Sequence, residues 1–445
     1  MTARLRPDVL ARYGSRNIPR YTSYPTAPHF KLAPDDALAR QWLRDVPLDR
    51  PVSLYVHIPF CRSMCWYCGC NTTVTRREAP VERYLQTLAR EIAMVADALP
   101  ARIQVSHLHF GGGTPTLMAP DQFRALMTQL RSAFDFLPDA EVAIEIDPRT
   151  LEAEMVEALA DSGVNRASLG VQSFDEKVQR AINRLQSFEV TKLAVDRLRA
   201  AGIEALNFDL IYGLPYQTID SCIDTVTQAV ELRPDRLAVF GYAHVPSFKL
   251  HQRKIDAATL PDGDQRLTQS EAIANALKQA GYVAIGLDHF AAPGDPLTVA
   301  AARGRLHRNF QGYTTDPCDT LIGFGASAIG RLPGGFVQNA VLIPDYQKRV
   351  AEGRLPSSKQ CPVSLDDRRR AAIIERIMCD YRVDLSGASE LADEDRLRPL
   401  VQDGLIRRRG QVIEVLPEGR PLVRAVAAAF DAYLDESQGR HARAV

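Results

Sequence analysis

The chain has 445 residues, of which 46% are hydrophobic and 24% are charged, so it is long enough to bury one large core and a smaller one. Its 54 acidic and 54 basic side chains cancel to a formal net charge of zero. This balance argues against a general nucleic-acid or membrane-surface binder, because such proteins usually carry a basic excess.

The first residues, MTARLRPDVLARYGSRN, are charged and lack the apolar core of a secretory signal, and no apolar run is long enough to cross a bilayer. We therefore expect a cytoplasmic protein. In that reducing compartment, clustered cysteines indicate metal binding or catalysis rather than disulfides. The four scattered cysteines are expected to be small buried hydrophobic side chains: Cys222, Cys318, Cys361 and Cys379.

The segment PRYTSYPTAPHF, residues 19–30, is rich in proline and aromatic residues and predicts an ordered, non-helical arm near the N-terminus. After it, short β-rich segments alternate with amphipathic stretches of helical spacing as far as residue 245. Six strands, each followed by a helix, predict a parallel α/β sheet, either open or closed into a barrel. The six predicted strands are 52–59, 105–110, 141–147, 167–174, 206–213 and 236–245.

Each predicted strand ends in polar or glycine residues that can bind a ligand or take part in catalysis. Since the carboxyl ends of parallel strands carry the active site in barrel folds, we expect these residues to meet at one edge. A buried carboxylate is costly unless it is paired, so Glu145 and Asp209 are either ion pairs or ligand contacts, and their position favours ligand contacts. The strand ends carry, in order, His57, the glycines 111–113, Glu145 with Asp147, Gln172, Asp209 and the segment 242–246.

After the six predicted strands, the pattern of predicted secondary structure changes. Residues 282–290 predict one more strand, and residues 307–315 predict a polar loop. From about residue 360 the pattern is helical, with Ser364 as a helix start, and a short hairpin between two later helices resembles a winged-helix element. We interpret that element as structural. The predicted domains are an arm covering the active site (1–50), the α/β domain with an extension (51–350) and a mainly helical accessory domain (351–445).

Four cysteines lie within ten positions, with the spacing Cys61-x3-Cys65-x2-Cys68-x-Cys70. A structural zinc site usually takes two separated pairs of ligands, and the sequence offers no second pair. Three cysteines on one loop can hold three irons of a [4Fe–4S] cluster and leave the fourth iron open, which is the interpretation we favour over zinc.

This spacing, the strand-end glycines and the repeated β–α units resemble the radical S-adenosylmethionine (radical SAM) superfamily. Within it, the chain resembles the family of oxygen-independent coproporphyrinogen III oxidases (coproporphyrinogen dehydrogenases) through motifs that occur in order over the whole chain. The resemblance implies an α/β fold, a partial (βα)6 TIM-like barrel of the radical SAM type with an N-terminal arm and a mainly helical C-terminal domain. The motifs are PRYTSYPTA, YVHIPFCRSMCWYCGCN, HFGGGTPT, EIDPR, LGVQSF, NFDLIYGLP, YAHVP and LHRNFQGYTT.

The resemblance also implies a role for individual residues. Cys61, Cys65 and Cys68 would bind the [4Fe–4S] cluster, and Cys70 would be a catalytic cysteine that is not a ligand. Two molecules of S-adenosylmethionine would be bound. The first would contact Tyr55, Gly112, Glu145 and Ile329, and the second would lie near Tyr67, Gly113, Thr114, Gln172, Arg184, Asp209 and Ala243.

The implied reaction is the oxidative decarboxylation of two propionate side chains of coproporphyrinogen III to vinyl groups through a 5′-deoxyadenosyl radical, which gives protoporphyrinogen IX. The implied partners are this substrate and an electron donor such as a flavodoxin-type protein, with no nucleic acid and no membrane, and the chain is expected to be a monomer. A haem-binding chaperone of the same superfamily is the alternative, against which Cys70 and the N-terminal segment argue. A zinc-stabilised protein with a nucleic-acid-binding winged helix is a third hypothesis.

Overall fold

The computed structural model describes residues 6–14 and 16–434. They belong to two compact units: the larger is Phe30–Pro261 with Asp316–Pro362, and the smaller is Met1–His29 with Asp262–Thr315 and Val363–Val445. These units divide the chain differently from the predicted boundaries, because the first 29 residues group with the C-terminal ones. That residues 1–50 cover the active site stays a prediction. Among the described residues, no helix is both long enough and apolar enough to span a bilayer.

The strands are numbered here in chain order. They are β1 (Lys31–Leu32), β2 (Val52–Ile58), β3 (Phe60–Cys61), β4 (Thr73–Val74), β5 (Gln104–Gly112), β6 (Asp135–Ile146), β7 (Arg166–Gln172), β8 (Ala205–Tyr212), β9 (Arg236–Gly241), β10 (Val283–Ile285), β11 (His289–Ala291), β12 (His307–Asn309), β13 (Gly312–Thr314), β14 (Leu321–Phe324), β15 (Ile329–Leu332), β16 (Gly335–Asn339), β17 (Ser357–Pro362), β18 (Arg382–Asp384), β19 (Ile406–Arg409) and β20 (Val412–Val415).

The α-helices are numbered in the same way. They are α1 (Pro7–Gly14), α2 (Ala37–Arg44), α3 (Ala79–Ala98), α4 (Pro120–Ala133), α5 (Ala153–Asp161), α6 (Glu176–Ala181), α7 (Phe188–Ala200), α8 (Ile219–Glu231), α9 (Gly263–Gln279), α10 (Pro296–Ala302), α11 (Ile343–Ala351), α12 (Leu365–Asp380), α13 (Glu394–Gln402) and α14 (Val423–Ala427).

The six predicted strands are confirmed as β2 and β5–β9, which pair in parallel in that order in the larger unit. Val56, Phe110 and Leu169 are buried at the centres of β2, β5 and β7, so one face of each of these strands packs into the core. The intervening helices bury the predicted apolar faces. On α4 the buried residues are Phe123, Leu126, Met127 and Leu130.

The sheet continues on the other side of β2. There β14 pairs in parallel with β2, and β15, β16, β17 and β1 follow as antiparallel neighbours. The strands of the larger unit thus follow the order β1-β17-β16-β15-β14-β2-β5-β6-β7-β8-β9. Sequence periodicity did not predict this extension, because its strands are short.

Two predictions for the smaller unit are wrong. Residues 282–290 form a hairpin of β10 and β11 rather than one strand, because Gly286 turns the chain at a φ of +56°. A Cβ at Gly286 would lie 2.0 Å from the ring of Tyr313, so glycine is required there. Residues 307–315 form the hairpin of β12 and β13 rather than a loop, and Gly312 follows its turn with a φ of +119°.

The C-terminal part of the smaller unit agrees with the sequence. Ser364 caps the start of helix α12: its hydroxyl accepts a hydrogen bond from the Asp367 N–H (3.1 Å), while the Asp367 carboxylate accepts one from the Ser364 N–H (2.9 Å). The predicted hairpin is β19 and β20 between α13 and α14, and β18 pairs with β20. This unit has its own core, in which Ile377, Val426 and Phe430 are fully buried.

A buried carboxylate stabilises the turn between β14 and β15. Glu91 on α3 accepts hydrogen bonds from the Gly325 N–H, the Asn339 amide and the Tyr346 hydroxyl, each at 2.7 Å. All three donors are buried with it. Burial raises the pKa of Glu91 to about 7, although its three hydrogen bonds act in the opposite direction.

Replacing Glu91 with alanine would leave three buried donors without an acceptor. We expect Glu91→Ala to lower the free energy of unfolding by about 3 kcal/mol, measured by urea denaturation. The matched control is Glu82→Ala on the exposed face of the same helix, expected to change it by less than about 0.5 kcal/mol. Equal effects of the two substitutions would contradict the role of the Glu91 hydrogen bonds.

The raised pKa of Glu91 predicts a pH-dependent stability. Between its ordinary pKa of 4.5 and its folded pKa of about 7, the folded chain holds this proton more tightly than the unfolded chain. The contribution of Glu91 is therefore complete below about pH 4.5 and is lost as the pH rises through about 7. Urea denaturation at intervals across this range should show the fall in the wild type and a smaller fall in Glu91→Gln. If the free energy of unfolding falls equally with pH in the wild type and in Glu91→Gln, Glu91 is not the source of the pH dependence.

Candidate active site

The cysteine loop, residues 61–70, follows β2 and is held by hydrogen bonds to two other segments, at Ile182 and at residues 249–251. The Trp66 N–H donates to the Ile182 carbonyl (2.9 Å), and Lys249 Nζ donates to the Cys70 carbonyl (2.9 Å). His251 Nε2 lies 2.7 Å from the Cys68 carbonyl oxygen. The loop is therefore fixed by its backbone, which leaves the cysteine side chains for other contacts.

Each of the three predicted ligand sulfurs has a hydrogen-bond donor. The hydroxyls of Thr72 and Thr114 lie 3.1 Å and 3.5 Å from Cys61 Sγ. The guanidinium groups of Arg149 and Arg184 each lie 3.6 Å from Cys65 Sγ. The Cys70 N–H donates to Cys68 Sγ at 3.4 Å. These donors favour thiolates, the form of cysteine that binds metal.

The thiols differ in acidity. A hydrogen bond from the Cys70 thiol lowers the pKa of Cys68 to about 6, and the same interaction raises the pKa of Cys70. Burial raises the pKa of Cys61, although the hydrogen bonds from the Thr72 and Thr114 hydroxyls act in the opposite direction. Cys65 is buried and Cys70 is exposed. The Cys70 thiol thus supports the thiolate of its neighbour Cys68.

The three predicted ligand sulfurs do not form a close group in the described part of the chain. Sulfurs that bind one tetrahedral zinc at about 2.3 Å lie within about 4 Å of one another. Among the described residues, the group of three metal-ligating atoms within 4.8 Å of one another is His107, Asp316 and Cys318, and it includes no cysteine of the loop. Thiolates of a [4Fe–4S] cluster each bind a different iron and need not converge, so this donor set fits a cluster.

The glycines at the end of β5 lie where no side chain fits. A Cβ at Gly111 would lie 2.8 Å from Glu145 Oε1, and one at Gly112 would lie 2.7 Å from the His57 ring. Gly112 also has a φ of +119°, which favours glycine. A Cβ at Gly113 would lie 2.5 Å from the Phe60 carbonyl oxygen. The backbone of this segment is thus packed directly against the cysteine loop and the neighbouring strands.

Glu145 on β6 lies beside these glycines. Its Oε2 accepts a hydrogen bond from the Gly112 N–H (3.0 Å), and its Oε1 lies 3.4 Å from His109 Nε2. The His109 ring stacks on Tyr55, whose hydroxyl lies 2.9 Å from His57 Nδ1. Burial alone would raise the pKa of Glu145, but the hydrogen bonds and charges of His109 and the Gly112 N–H lower it overall. A carboxylate is therefore available at this end of the sheet.

Asp147 connects two arginines to the cysteine loop. It lies 2.6 Å from Arg149 Nη2 and 3.4 Å from Arg184 Nη2, and both arginines reach Cys65. Arg184 also donates to the Gly170 carbonyl (2.7 Å), beside the Gln172 amide. Burial opposes the charge of Asp147, but the charge of Arg184 and the charge and hydrogen bonds of Arg149 lower its pKa overall. The result is a buried ion-paired network next to Cys65.

The remaining predicted residues lie at the same edge of the sheet. Asp209 on β8 accepts hydrogen bonds from Asn207 Nδ2 (2.9 Å) and the Ser168 hydroxyl (3.3 Å). The carbonyls of Tyr67 and Ala243 both accept from Gln252 Nε2, at 3.0 Å and 3.3 Å. Ile329 begins β15 beside Gly323, which is paired with Tyr55.

The sequence did not identify several residues that contact the cysteine loop. Arg149 follows the noted Asp147 by two positions and could have been found from that spacing. Thr72, Lys249 and His251 carry no signal in the sequence alone, because their contacts depend on how the loop folds back. These residues support the cysteine loop rather than extend the predicted ligand set.

Comparison with known proteins gives a concordant result. The model of the radical SAM superfamily matches residues 55–229. The chain is 56% identical to an oxygen-independent coproporphyrinogen III oxidase of Bradyrhizobium diazoefficiens, over 99% of this chain and 100% of that protein. It is 41% identical to the oxygen-independent coproporphyrinogen III oxidase of Paracoccus denitrificans, over 96% of each chain.

A solved structure is also similar over almost the whole length. The coproporphyrinogen III oxidase of Escherichia coli, described as a radical SAM enzyme, superposes with a TM-score of 0.90 at 39% sequence identity. The superposition covers 97% of this chain and 100% of that one.

Proposed function

This chain belongs to the family of oxygen-independent coproporphyrinogen III oxidases, a branch of the radical SAM superfamily, and from this membership we propose that the site at the carboxyl ends of β2 and β5–β9 carries out the family's reaction. The reaction converts two propionate side chains of coproporphyrinogen III to vinyl groups and yields protoporphyrinogen IX without oxygen. The cysteine loop supports this proposal most. Its three predicted ligand sulfurs do not form a close group in the described part of the chain, and each lies beside a hydrogen-bond donor.

The cofactors are a [4Fe–4S] cluster and S-adenosylmethionine. We propose that Cys61, Cys65 and Cys68 hold the cluster. When bound, the two cofactors supply a 5′-deoxyadenosyl radical, which takes a hydrogen atom from a propionate side chain. The chain's own part is to bind, orient and shield these groups.

For the first S-adenosylmethionine we propose four residues. Glu145 provides a negative charge suited to the ammonium group of the cofactor, and Gly112 lets the backbone approach closely. Tyr55 provides a ring that is already stacked on His109, so it is ordered before the ligand binds. Ile329 contributes apolar surface from β15.

For the second S-adenosylmethionine we propose a further set of residues, on the cysteine loop and at the ends of the neighbouring strands. Arg184 suits its carboxylate, because a guanidinium matches carboxylate geometry. Asp209 suits its hydroxyl or ammonium groups. The full set is Tyr67, Gly113, Thr114, Gln172, Arg184, Asp209 and Ala243.

We further propose that an acidic electron donor of the flavodoxin type reduces the cluster, and that the protein is a cytoplasmic monomer. Lys249 supports the first part, since its half-buried cationic side chain lies beside the cysteine loop, where it donates to the Cys70 carbonyl. Cross-linking to a reduced flavodoxin and light scattering of the holoenzyme test these two proposals separately.

The function is tested with anaerobically reconstituted protein that is given coproporphyrinogen III, S-adenosylmethionine and a strong reductant. We expect protoporphyrinogen IX, carbon dioxide, methionine and 5′-deoxyadenosine. Absence of protoporphyrinogen together with tight haem binding would instead support a haem-binding chaperone, which the family membership does not favour.

Arg149 is expected to tune the cluster. Its guanidinium lies 3.6 Å from Cys65 Sγ, and a positive donor stabilises the reduced, more negative cluster. A hydrogen bond to a charged group is worth about 1.5 kcal/mol, so Arg149→Leu should lower the midpoint potential by about 60 mV. Redox titration followed by electron paramagnetic resonance measures this shift. The control, Arg180→Leu on the exposed face of α6, should leave the potential unchanged, and equal potentials for both variants would contradict the role of Arg149.

A further inference from the structure

A second group of metal-ligating side chains lies at the opposite edge of the sheet of the larger unit. The ligand atoms of His107, Asp316 and Cys318 all lie within 4.8 Å of one another. His107 is near the start of β5, and Asp316 and Cys318 are in the segment that leads into β14. Parallel strands bring these starts together, since Ser53 pairs with both His107 and Leu321.

This group is separate from the cysteine loop. The loop follows the carboxyl end of β2, whereas the group lies beside the amino end of the same strand. A strand of seven residues with a rise of about 3.3 Å per residue places the two roughly 20 Å apart. The reaction at the active-site edge therefore does not use these three side chains.

The side chains are oriented by neighbouring hydroxyl groups. The Ser53 hydroxyl donates to Asp316 Oδ2, and Ser106 Oγ lies 3.1 Å from Cys318 Sγ and 3.0 Å from His107 Nδ1. Asp316 Oδ1 accepts the Cys318 N–H (2.9 Å) and lies 3.4 Å from His107 Nδ1. The Ser53 hydrogen bond is of the kind that metal sites use to orient a ligand, because it engages Asp316 Oδ2 whereas Oδ1 is the oxygen beside His107.

Cys318 differs from the buried hydrophobic side chain that the sequence predicts. It is only half-buried, has polar neighbours, and lines a cavity of about 200 Å³ with Arg50 and Thr320. This volume is enough for several water molecules, each of which occupies about 30 Å³ in the liquid. Solvent thus reaches the group, and a water molecule has room to serve as a further ligand.

We propose that His107, Asp316 and Cys318 form a zinc site, with a water molecule from the adjoining cavity as the fourth ligand. One nitrogen, one carboxylate oxygen and one sulfur form a donor set that Zn²⁺ accepts in tetrahedral geometry. The Cys318 thiol releases its proton to solvent when the metal binds. The ion joins the segment before β14 to β5, so its role is to stabilise this edge of the sheet.

The test uses the holoenzyme with its iron–sulfur cluster in place, dialysed against Zn²⁺ and then freed of loosely bound metal. Zinc and iron are counted in the same sample by mass spectrometry. We expect about one zinc per chain in the wild type, and its loss in Cys318→Ser and in Asp316→Asn with iron unchanged. Ser53→Ala should weaken Zn²⁺ binding about tenfold, because it removes an orienting hydrogen bond.

Cys222→Ala removes a buried cysteine elsewhere in the larger unit and is the control, which should keep the zinc. Co²⁺ provides a second readout, since a thiolate ligand gives it a charge-transfer absorption that should be present in the control and absent in Cys318→Ser. Zinc should also raise the unfolding temperature of the wild type but not that of Cys318→Ser. The proposal would be contradicted by a wild type without bound zinc, or by a Cys318→Ser variant with as much zinc as the wild type. The three side chains would then form only a hydrogen-bonded cluster.

Discussion

Cys68→Ala is expected to abolish the cluster and to lower turnover more than about 1,000-fold, because the cofactor carries the chemistry and two cysteines cannot hold it. Cys70→Ala, two positions away, is expected to keep its iron, since the three proposed ligands remain. Its turnover should nevertheless fall about 100-fold or more, as expected when a catalytic group is removed. Iron content and formation of protoporphyrinogen IX, measured on the same preparations, separate the two variants.

The matched control for both substitutions is Cys222→Ala, a buried cysteine on α8, which should keep both iron and turnover. Iron loss in Cys70→Ala equal to that in Cys68→Ala would make Cys70 a fourth ligand and would overturn the proposed open iron. Full turnover in Cys70→Ala would remove it from the proposed catalytic residues.

Gly113→Ala is expected to damage the active site through the backbone. The added Cβ would lie 2.5 Å from the Phe60 carbonyl oxygen and 2.8 Å from the Thr72 hydroxyl. Phe60 and Thr72 flank the cysteine loop, and the Phe60 carbonyl also accepts the Thr114 N–H at 2.7 Å. Relief of the overlap must therefore shift the loop, which should cost about 2 kcal/mol of stability and at least about 100-fold in turnover.

Urea denaturation and turnover of the reconstituted enzyme measure these two effects. Gly69→Ala is the control, because it adds the same methyl group within the cysteine loop where nothing lies within 4 Å. We expect it to fold and turn over close to the wild type. A Gly113→Ala variant as active as Gly69→Ala would show that the loop tolerates displacement and that the close packing is not needed.

The repeated strands and helices of the larger unit could be predicted from the sequence because each is long and strongly patterned. Strands β2 and β5–β9 each contain a short, mostly apolar segment, and α4 has apolar residues at helical spacing. The cysteine loop and the strand-end glycines could be found for a different reason. Their residue types are rare enough in such spacing to indicate a cluster before any fold is known.

What the sequence did not predict depends on contacts between distant segments. The ion pair of Asp147 with Arg184 exists only because the loop after β6 meets the one after α6. The hairpins β10–β11 and β12–β13 were missed because their strands have three residues each, too few to show alternation. No pattern in the sequence assigns the three separate segments of the smaller unit to one another.

The position of β14 has a consequence for how the protein is made. Its partner β2 is synthesised early, but β14 emerges from the ribosome only after residues 262–315, which belong to the other unit. Until then the outer edge of β2 has backbone groups without a strand to pair with, and such edges promote aggregation. The last step in completing the larger unit is therefore a pairing between remote segments, which is slow to form. Nascent chains released before residue 321 should need chaperones more than the finished protein does.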